Sequence, residues 1–346
     1  MRIWIDLANS PHPLLFAPVS RALKERGHQV EITVRDHAQT LALARERWQG
    51  LDVVGRSSPS SRVKKVGAMA ARVRALRAWA RAHRPDLALS HNSYAQIAAA
   101  RLAGIPAVTA MDFEHQPANH VAFRLADRVL LPEAYPRGTA RSQGAVARKV
   151  WRYPGVKEAL YVGDFEPDED VLRRLGMVEP SPETAIVVAR TPPTRALYHR
   201  GENPLFADCL AELARRERVH CVILARYPEQ VLSLASSRGK GFTVPREAVD
   251  ARSLMHQADL VLGAGGTMTR EAALMRVPAV SVFRGRAPAV DRWLEEQGSL
   301  RRLTRADELP SVEPGASRPL DPRDLRAKGR PALDRFLAAV EAQIDG

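Results

Sequence analysis

The sequence is short of several things that would assign it quickly. It has only two cysteines, Cys209 and Cys221. They fall in segments that read as a helix and a buried strand, without metal-ligand spacing, so neither a disulfide framework nor a cysteine zinc site is expected. Aromatic residues make up 5% of the chain, and no basic-aromatic interleaving of the kind that binds single strands is present, which points away from nucleic acid. No apolar run approaches the roughly 18 to 20 residues of a membrane span, and MRIWIDLANS opens on a strand rather than a signal peptide; a cytoplasmic protein is expected. Glycine is missing where a dinucleotide-binding fold needs it. The first strand, RIWIDL, is followed by ANSPHP instead of G-x-G-x-x-G, which argues against a nicotinamide or flavin dehydrogenase.

What the chain does have is positive charge, unevenly placed. Of the formal net charge of +13, residues 1–165 carry +12 and the remaining residues +1. Much of it lies in SSRVKKVGAMAARVRALRAWARAHRP, where Val66, Met69, Val73, Leu76 and Ala80 recur at helical spacing and Arg74, Arg77, Arg81 and Arg84 form a second stripe. An amphipathic helix with a cationic shoulder is predicted. A solvated face is its ordinary meaning, and contact with an anionic membrane surface its sharper one.

Length predicts about two domains. Strands alternate with helices throughout, the pattern of parallel α/β sheets. RIWIDL, VEITVR, DLALSH, AVTAM and DRVLLP read as strands in the first half, and ETAIVVAR, VHCVILA, DLVLG and AVSVF in the second. The expected division is 1–160, 161–330 and a closing helix within 331–346, with the proline-rich stretch 307–331 as a surface loop or linker.

The motifs sit at predicted strand ends. GAGGTMTREAAL places Gly265, Gly266, Thr267 and Thr269 at a strand-to-helix turn, with Glu271 one turn further on. The unpartnered amides and dipole of such a helix start favour a phosphate, and a glutamate can accept two ribose hydroxyls. A plain tight α/β turn is the bland alternative. Arg190 and Thr191 end one neighbouring strand and Arg226 another, where two arginines would suit a diphosphate. In the first half, Asn9, Ser10 and His12 follow the first strand, His91 and Asn92 lie in SHNSYAQ, and Asp112, Glu114, His115, Asn119 and His120 crowd MDFEHQPANH. His12, before Pro13, is placed at the crevice mouth as a general base; helix capping by Ser10 or His12 is the alternative. No metal is inferred: the spacing of His115 and His120 is poor for one face, and PDED reads as helix capping.

Through IDLANSPH, YPGVKEALYVGDFEPDEDVLRRLG, ILARYPEQ and GAGGTMTREAAL, the whole chain resembles a family of uncharacterised bacterial and archaeal proteins with the glycosyltransferase-B fold. More distantly it is similar to lipid-linked N-acetylglucosaminyl transferases, in which a glycine-threonine turn and a glutamate matching Glu271 hold the donor. It is also similar to UDP-N-acetylglucosamine 2-epimerases, whose acids after the fourth strand correspond in outline to Asp112 or Glu114. The resemblance implies two Rossmann-like doubly wound domains facing across a cleft. It further implies a glycosyl transferase with a nucleotide-sugar substrate, UDP-linked by analogy, and no cofactor; positive groups and the helix N-terminus would stabilise the departing diphosphate without a metal ion, and the excess charge of the first half points to an anionic or lipid-linked acceptor. A nucleotide-sugar 2-epimerase, or a binding protein that has lost chemistry, is the alternative.

Overall fold

A computed structural model describes residues 1–56, 62–177, 183–192, 203–226, 230, 241–247 and 249–343, with the backbone alone described for 62–65. The chain divides into two compact units. The first comprises residues 1–161, 288–290 and 329–346, and the second residues 162–287 and 291–328. Parts of the VVARTPPTR, ILARYPEQ and SSRVKK stretches lie outside the described residues.

Among the described residues, the first unit holds seven strands: β1 (Arg2–Leu7), β2 (Gln29–Asp36), β3 (Asp52–Arg56), β4 (Leu87–His91), β5 (Ala107–Ala110), β6 (Arg128–Pro132) and β7 (Val150–Tyr153). They pair in the order β3-β2-β1-β4-β5-β6-β7, every described pairing parallel. The second holds β8 (Ala185–Arg190), β9 (Val219–Leu224), β10 (Phe242–Thr243), β11 (Leu260–Gly263), β12 (Ala279–Ser281) and β13 (Arg301–Arg302). Their order, β10-β9-β8-β11-β12-β13, is again parallel and repeats the same winding. Each sheet therefore reverses direction of winding at one place, between β1 and β4 and between β8 and β11. Ligands of open α/β sheets bind at the carboxyl ends of the strands flanking such a point.

The predicted strands are all present because their cores are near-continuous apolar runs, buried on both sheet faces. Ile3, Ile5 and Leu7 of β1 pack with Leu15, Phe16, Val19 and Leu23 of helix Pro11–Glu25. In the second unit, Val187, Cys221, Ile223 and Leu262 pack with Phe206, Leu210 and Leu213 of helix Pro204–Ala214. Cys209 and Cys221 are buried free thiols, and burial pushes Cys209 up to about 11.

A buried charge on β1 interrupts the first core. Asp6 of β1 has no exposed surface. Its carboxylate accepts a two-toothed hydrogen bond from the Arg72 guanidinium at 2.8 and 2.9 Å, another from Thr33 Oγ1 at 2.7 Å, and a short one from Ser93 Oγ. Arg72 comes from helix Arg62–His83 and also donates to the Val54 carbonyl of β3. One carboxylate thus ties β1 to β2, to the crossing helix and to the turn after β4.

Two expectations need correction. The apolar stripe of helix Arg62–His83 does not start at Val66: Val66 is 72% and Met69 43% exposed, and the buried face begins with Arg72, Leu76, Trp79 and Ala80. Among the described side chains of this helix, a buried guanidinium, invisible to a hydrophobic pattern, occupies the first core position. The proline-rich stretch is not all loop, since a helix runs over Pro322–Glu341 with Pro331 inside it. Pro322 is a good first helical residue, and Asp321 accepts the Arg323 amide at 2.7 Å. Phe336, Leu337 and Val340 then enter the first core, and their burial outweighs the hydrogen bond that Pro331 removes.

Removing Arg72 leaves a buried carboxylate without its cation. Arg72→Ala is expected to lower unfolding free energy by about 3–5 kcal/mol. Denaturant titration checks this, and a loss below about 1 kcal/mol, the range of surface pairs, would show that Asp6 is satisfied without Arg72.

Candidate functional site

In the first unit, β1, β4 and β5 end side by side, and the loops after them converge. His12 is the second residue of helix Pro11–Glu25 and is buried, not set at an open mouth as expected. Ser10 makes no side-chain cap; instead the Ala8 amide donates to His12 Nδ1 at 3.1 Å. With Nδ1 accepting, the neutral ring carries its hydrogen on Nε2. Burial, followed by the charges of His91, Lys157 and Arg72 and opposed by Asp112, drives the His12 pKa well below its ordinary value. His12 is accordingly a neutral Nε2–H donor in this structure rather than a ready base. Asn9 is exposed and Ser10 half-buried beside it.

His91 ends β4, with its ring centroid 5.5 Å from that of His12. Its Nε2 faces Asp112 Oδ1 at 3.3 Å. The other Asp112 oxygen accepts from Lys157 Nζ, which also donates to Glu158 Oε1 at 2.7 Å. All four side chains are buried. Lys157 and Glu158 lie in a short 3-10 helix, Lys157–Leu160, after β7. The result is a continuous run of titratable groups: His12, His91, Asp112, Lys157 and Glu158.

Around it, a neutral hydrogen-bond network shapes the 111–119 loop. Asn92 takes a left-handed backbone, φ 52°, which asparagine tolerates better than most residues. Its Nδ2 donates to Asn119 Oδ1 at 2.9 Å and Tyr94 Oη at 2.7 Å. Asn119 Nδ2 donates to the Phe113 carbonyl, and Gln143 Nε2 to the Glu114 carbonyl. Burial raises the Tyr94 hydroxyl to about 12, against hydrogen bonds from Gln116 and Asn92, so it is neutral at ordinary pH. Glu114 Oε1 accepts the amide of Ala289, a residue of the same unit, at 2.9 Å and lies 3.4 Å from His115 Nε2. Asn92 and Asn119 thus position the loop, while His120 is exposed on helix Asn119–Leu125.

In the second unit the equivalent strand ends are β8, β9 and β11. Gly263 pairs in register with Arg190, which pairs with Leu224. Beyond Gly263 the chain turns through Gly265 (φ 81°) and Gly266 (φ 100°), both left of the barrier that a Cβ imposes. A Cβ on Gly265 would also stand 3.0 Å from the Phe283 ring. The turn delivers helix Thr267–Met275 with its first amides at the strand ends. Thr269 is buried and its hydroxyl donates to the Gly266 carbonyl at 3.1 Å, so in this structure it holds the turn. Thr267 is only half-buried at the helix start, and Glu271 is buried one turn in. Arg270 turns away to Asp291, 2.6 Å from Nε to Oδ1, both side chains buried. Arg190 NH1 donates to the Ala225 carbonyl at 3.3 Å, and Thr191 Oγ1 receives the Arg226 amide at 3.0 Å and donates to Gln230 Oε1 at 2.9 Å.

The structure therefore gathers His12, His91 and Asp112 in one unit, and Arg190, Thr191, Arg226 and the glycine turn at one sheet edge in the other. Sequence reasoning missed Lys157 and Glu158. A charged pair beginning an apolar segment directly after a strand, VKEALYV, was the available signal.

The His12 geometry has a pH consequence. A folded-state pKa below the unfolded value of about 6.5 means that the unfolded chain binds the proton more readily. The contribution of His12 to stability is complete above about pH 6.5 and falls away as pH drops toward the folded pKa. Wild type is expected to lose more stability between pH 7.5 and 5.5 than His12→Asn, whose side-chain carbonyl can still accept the Ala8 amide. Parallel slopes in denaturation series at the two pH values would contradict a buried neutral His12.

Among solved structures, the UDP-N-acetylglucosamine 2-epimerase of Rickettsia bellii is similar at a TM-score of 0.72 and 13% identity, covering 100% of this chain and 97% of that one. The UDP-GlcNAc 2-epimerase of Methanocaldococcus jannaschii, solved with UDP-GlcNAc and UDP, gives 0.68 at 13% identity, covering 98% and 99%. The glycotransferase of kitacinnamycin gives 0.55 at 16%, covering 98% and 94%. At these identities the likeness is one of fold: two Rossmann-like units of the glycosyltransferase-B type. In sequence, an uncharacterized protein of Methanocaldococcus jannaschii is 26% identical over 301 residues, 85% of each chain. The model of the family described as "Protein of unknown function (DUF354)" matches residues 1–317, and the chain belongs to that family.

Proposed function

We propose that this protein is a sugar-nucleotide enzyme that moves protons on the sugar, with nucleotide-sugar 2-epimerase chemistry as the reading the geometry favours. The observation that carries it is the buried run His12, His91, Asp112, Lys157 and Glu158, with Glu114 nearby in sequence. Inversion at sugar C2 needs one group to take the C2 proton while the C2–H electron pair forms a C1–C2 double bond and expels the nucleoside diphosphate from C1, and another to return a proton to the opposite face of C2 as the diphosphate adds back to C1. Asp112 and Glu114 are the carboxyl groups assigned to that exchange. Lys157 holds the Asp112 charge, and the Nε2–H of His12 is a donor for a sugar or phosphate oxygen. No cofactor or metal is required for these steps. Epimerases of this fold bound to UDP-GlcNAc support a UDP-linked substrate.

The second unit takes the nucleotide in this reading. The turn amides at Gly265, Gly266 and Thr267, with Arg190 and Arg226, meet the diphosphate, and Glu271 accepts the ribose hydroxyls. Thr269 contributes by fixing the turn.

Glycosyl transfer to an anionic or lipid-linked acceptor is the second reading, favoured by the excess charge of the first 165 residues and the exposed Arg74, Arg81 and Arg84. It is weakened because the imidazole of His12, the expected base for the acceptor, has Nδ1 occupied by the Ala8 amide and carries its hydrogen on Nε2. Among the described residues no helix is long and apolar enough to cross a membrane.

Incubation with UDP-N-acetylglucosamine in D₂O, followed by proton NMR, decides between the readings. Epimerisation places deuterium at sugar C2; retention of the C2 proton together with sugar transfer would replace it with the second reading. Asp112→Asn is expected to reduce turnover by about 10²–10⁴. Glu271→Ala should cost about 1.5–3 kcal/mol of UDP affinity by calorimetry, and unchanged affinity would remove the ribose assignment.

A further inference from the structure

An open surface depression of about 710 Å³ lies in the first unit, lined by half-buried Arg152 and Pro154 and by exposed Glu133, Arg137, Pro331 and Arg335. None of these residues belongs to the His12–Glu158 run. It lies where β6 and β7 end, against the C-terminal helical segment. Three guanidinium groups share it with one carboxylate.

Two of the three arginines are fastened. Arg152 NH1 donates to the carbonyls of Pro132 and Glu133 at 3.1 Å and Tyr135 at 2.8 Å, the turn that follows β6. Arg335 Nε donates to the Arg152 carbonyl at 3.1 Å, and its guanidinium lies over the Trp151 ring at 5.0 Å. A chain pays entropy to hold such side chains, and like charges gathered this way repel. The cost shows on Arg152: burial first, then the Arg137 charge, lower its pKa, and Glu133 offsets them only in part. Fixed, planar donors around an open volume suit a phosphate oxygen set, which guanidinium groups bind with paired hydrogen bonds.

We propose that this depression is a binding site for a phosphate ester, distinct from the nucleotide turn of the second unit, with Arg137, Arg152 and Arg335 as its donors. Glu133 opposes the anion and accepts a hydroxyl of the esterified group. The inference does not rest on the epimerase or transferase reading.

Calorimetry with glucose 1-phosphate on the full chain tests it, comparing wild type with Arg137→Gln/Arg335→Gln and with Glu133→Gln. Arg152 is left intact because it fastens the strand ends. Wild type is expected to bind, the double variant at least tenfold more weakly, and Glu133→Gln more tightly in phosphate affinity measured with inorganic phosphate. UDP affinity should be the same in all three, so a failure here is separable from a failure of the nucleotide assignment. If vesicles containing phosphatidylglycerol, and not the soluble ester, give binding that needs Arg137 and Arg335, the phosphate is that of a lipid head group. Equal phosphate affinity across the variants, or no binding of either probe by folded wild type, overturns the proposal.

Discussion

A carboxylate sealed from water must have its lone pairs met, and the way Asp6 is met sets the first unit. Thr33 reaches it from β2, Arg72 from the crossing helix and Ser93 from the turn after β4. Trp4 adds its indole N–H to Thr33 Oγ1 at 2.7 Å, extending the network beneath the sheet. Because Asp6 stands near the carboxyl end of β1, these bonds fix the point from which the chain turns toward Ala8 and His12. The tautomer of His12 follows from that turn, since the Ala8 amide is what its Nδ1 accepts. The chemistry of the site is thus set partly by a pair outside the His12–Glu158 run, and the Arg72 charge also helps keep His12 neutral.

The sheets were readable in the sequence wherever strands are buried on both faces. β3, β7, β10 and β13 were not, because they sit at or next to sheet edges, are short and carry polar or half-exposed residues. The glycine turn was legible down to its residues, since left-handed backbone at Gly265 and Gly266 demands that amino acid. Which turn residue does what was not: Thr269 looks like a phosphate donor in a string of letters, yet its hydroxyl is bonded to Gly266. Ion pairs between distant segments were the blind spot. Asp6 with Arg72 and Asp112 with Lys157 join residues 66 and 45 positions apart, and no local periodicity carries such information.

The positive charge of the first half proves to be several things. Arg72 and Lys157 are internal and matched by carboxylates. Arg124, Lys149 and Arg152 donate to backbone carbonyls at the ends of helices and strands, where unpaired acceptors collect. Arg2, Arg26 and Arg47 are paired with glutamates, whereas Arg74, Arg81 and Arg84 are exposed charge able to attract a distant partner. Net charge overstates the cationic surface for this reason, and the arginines that matter for recognition are those whose neighbours leave them under-neutralised.

The first unit is not continuous in sequence. Phe336, Leu337 and Val340 are among its most buried side chains, Phe336 lies 5.1 Å from the Tyr153 ring, and Arg26 pairs with Glu341 at 2.7 Å. A ribosome therefore makes the second unit in its entirety before the first can close its core. During that interval the sheet built from residues 1–161 lacks the apolar side chains that cover Tyr153 of β7, while every described strand of the later unit has been made. Synthesis from the amino end thus inverts the order of completion: the half made first is finished last.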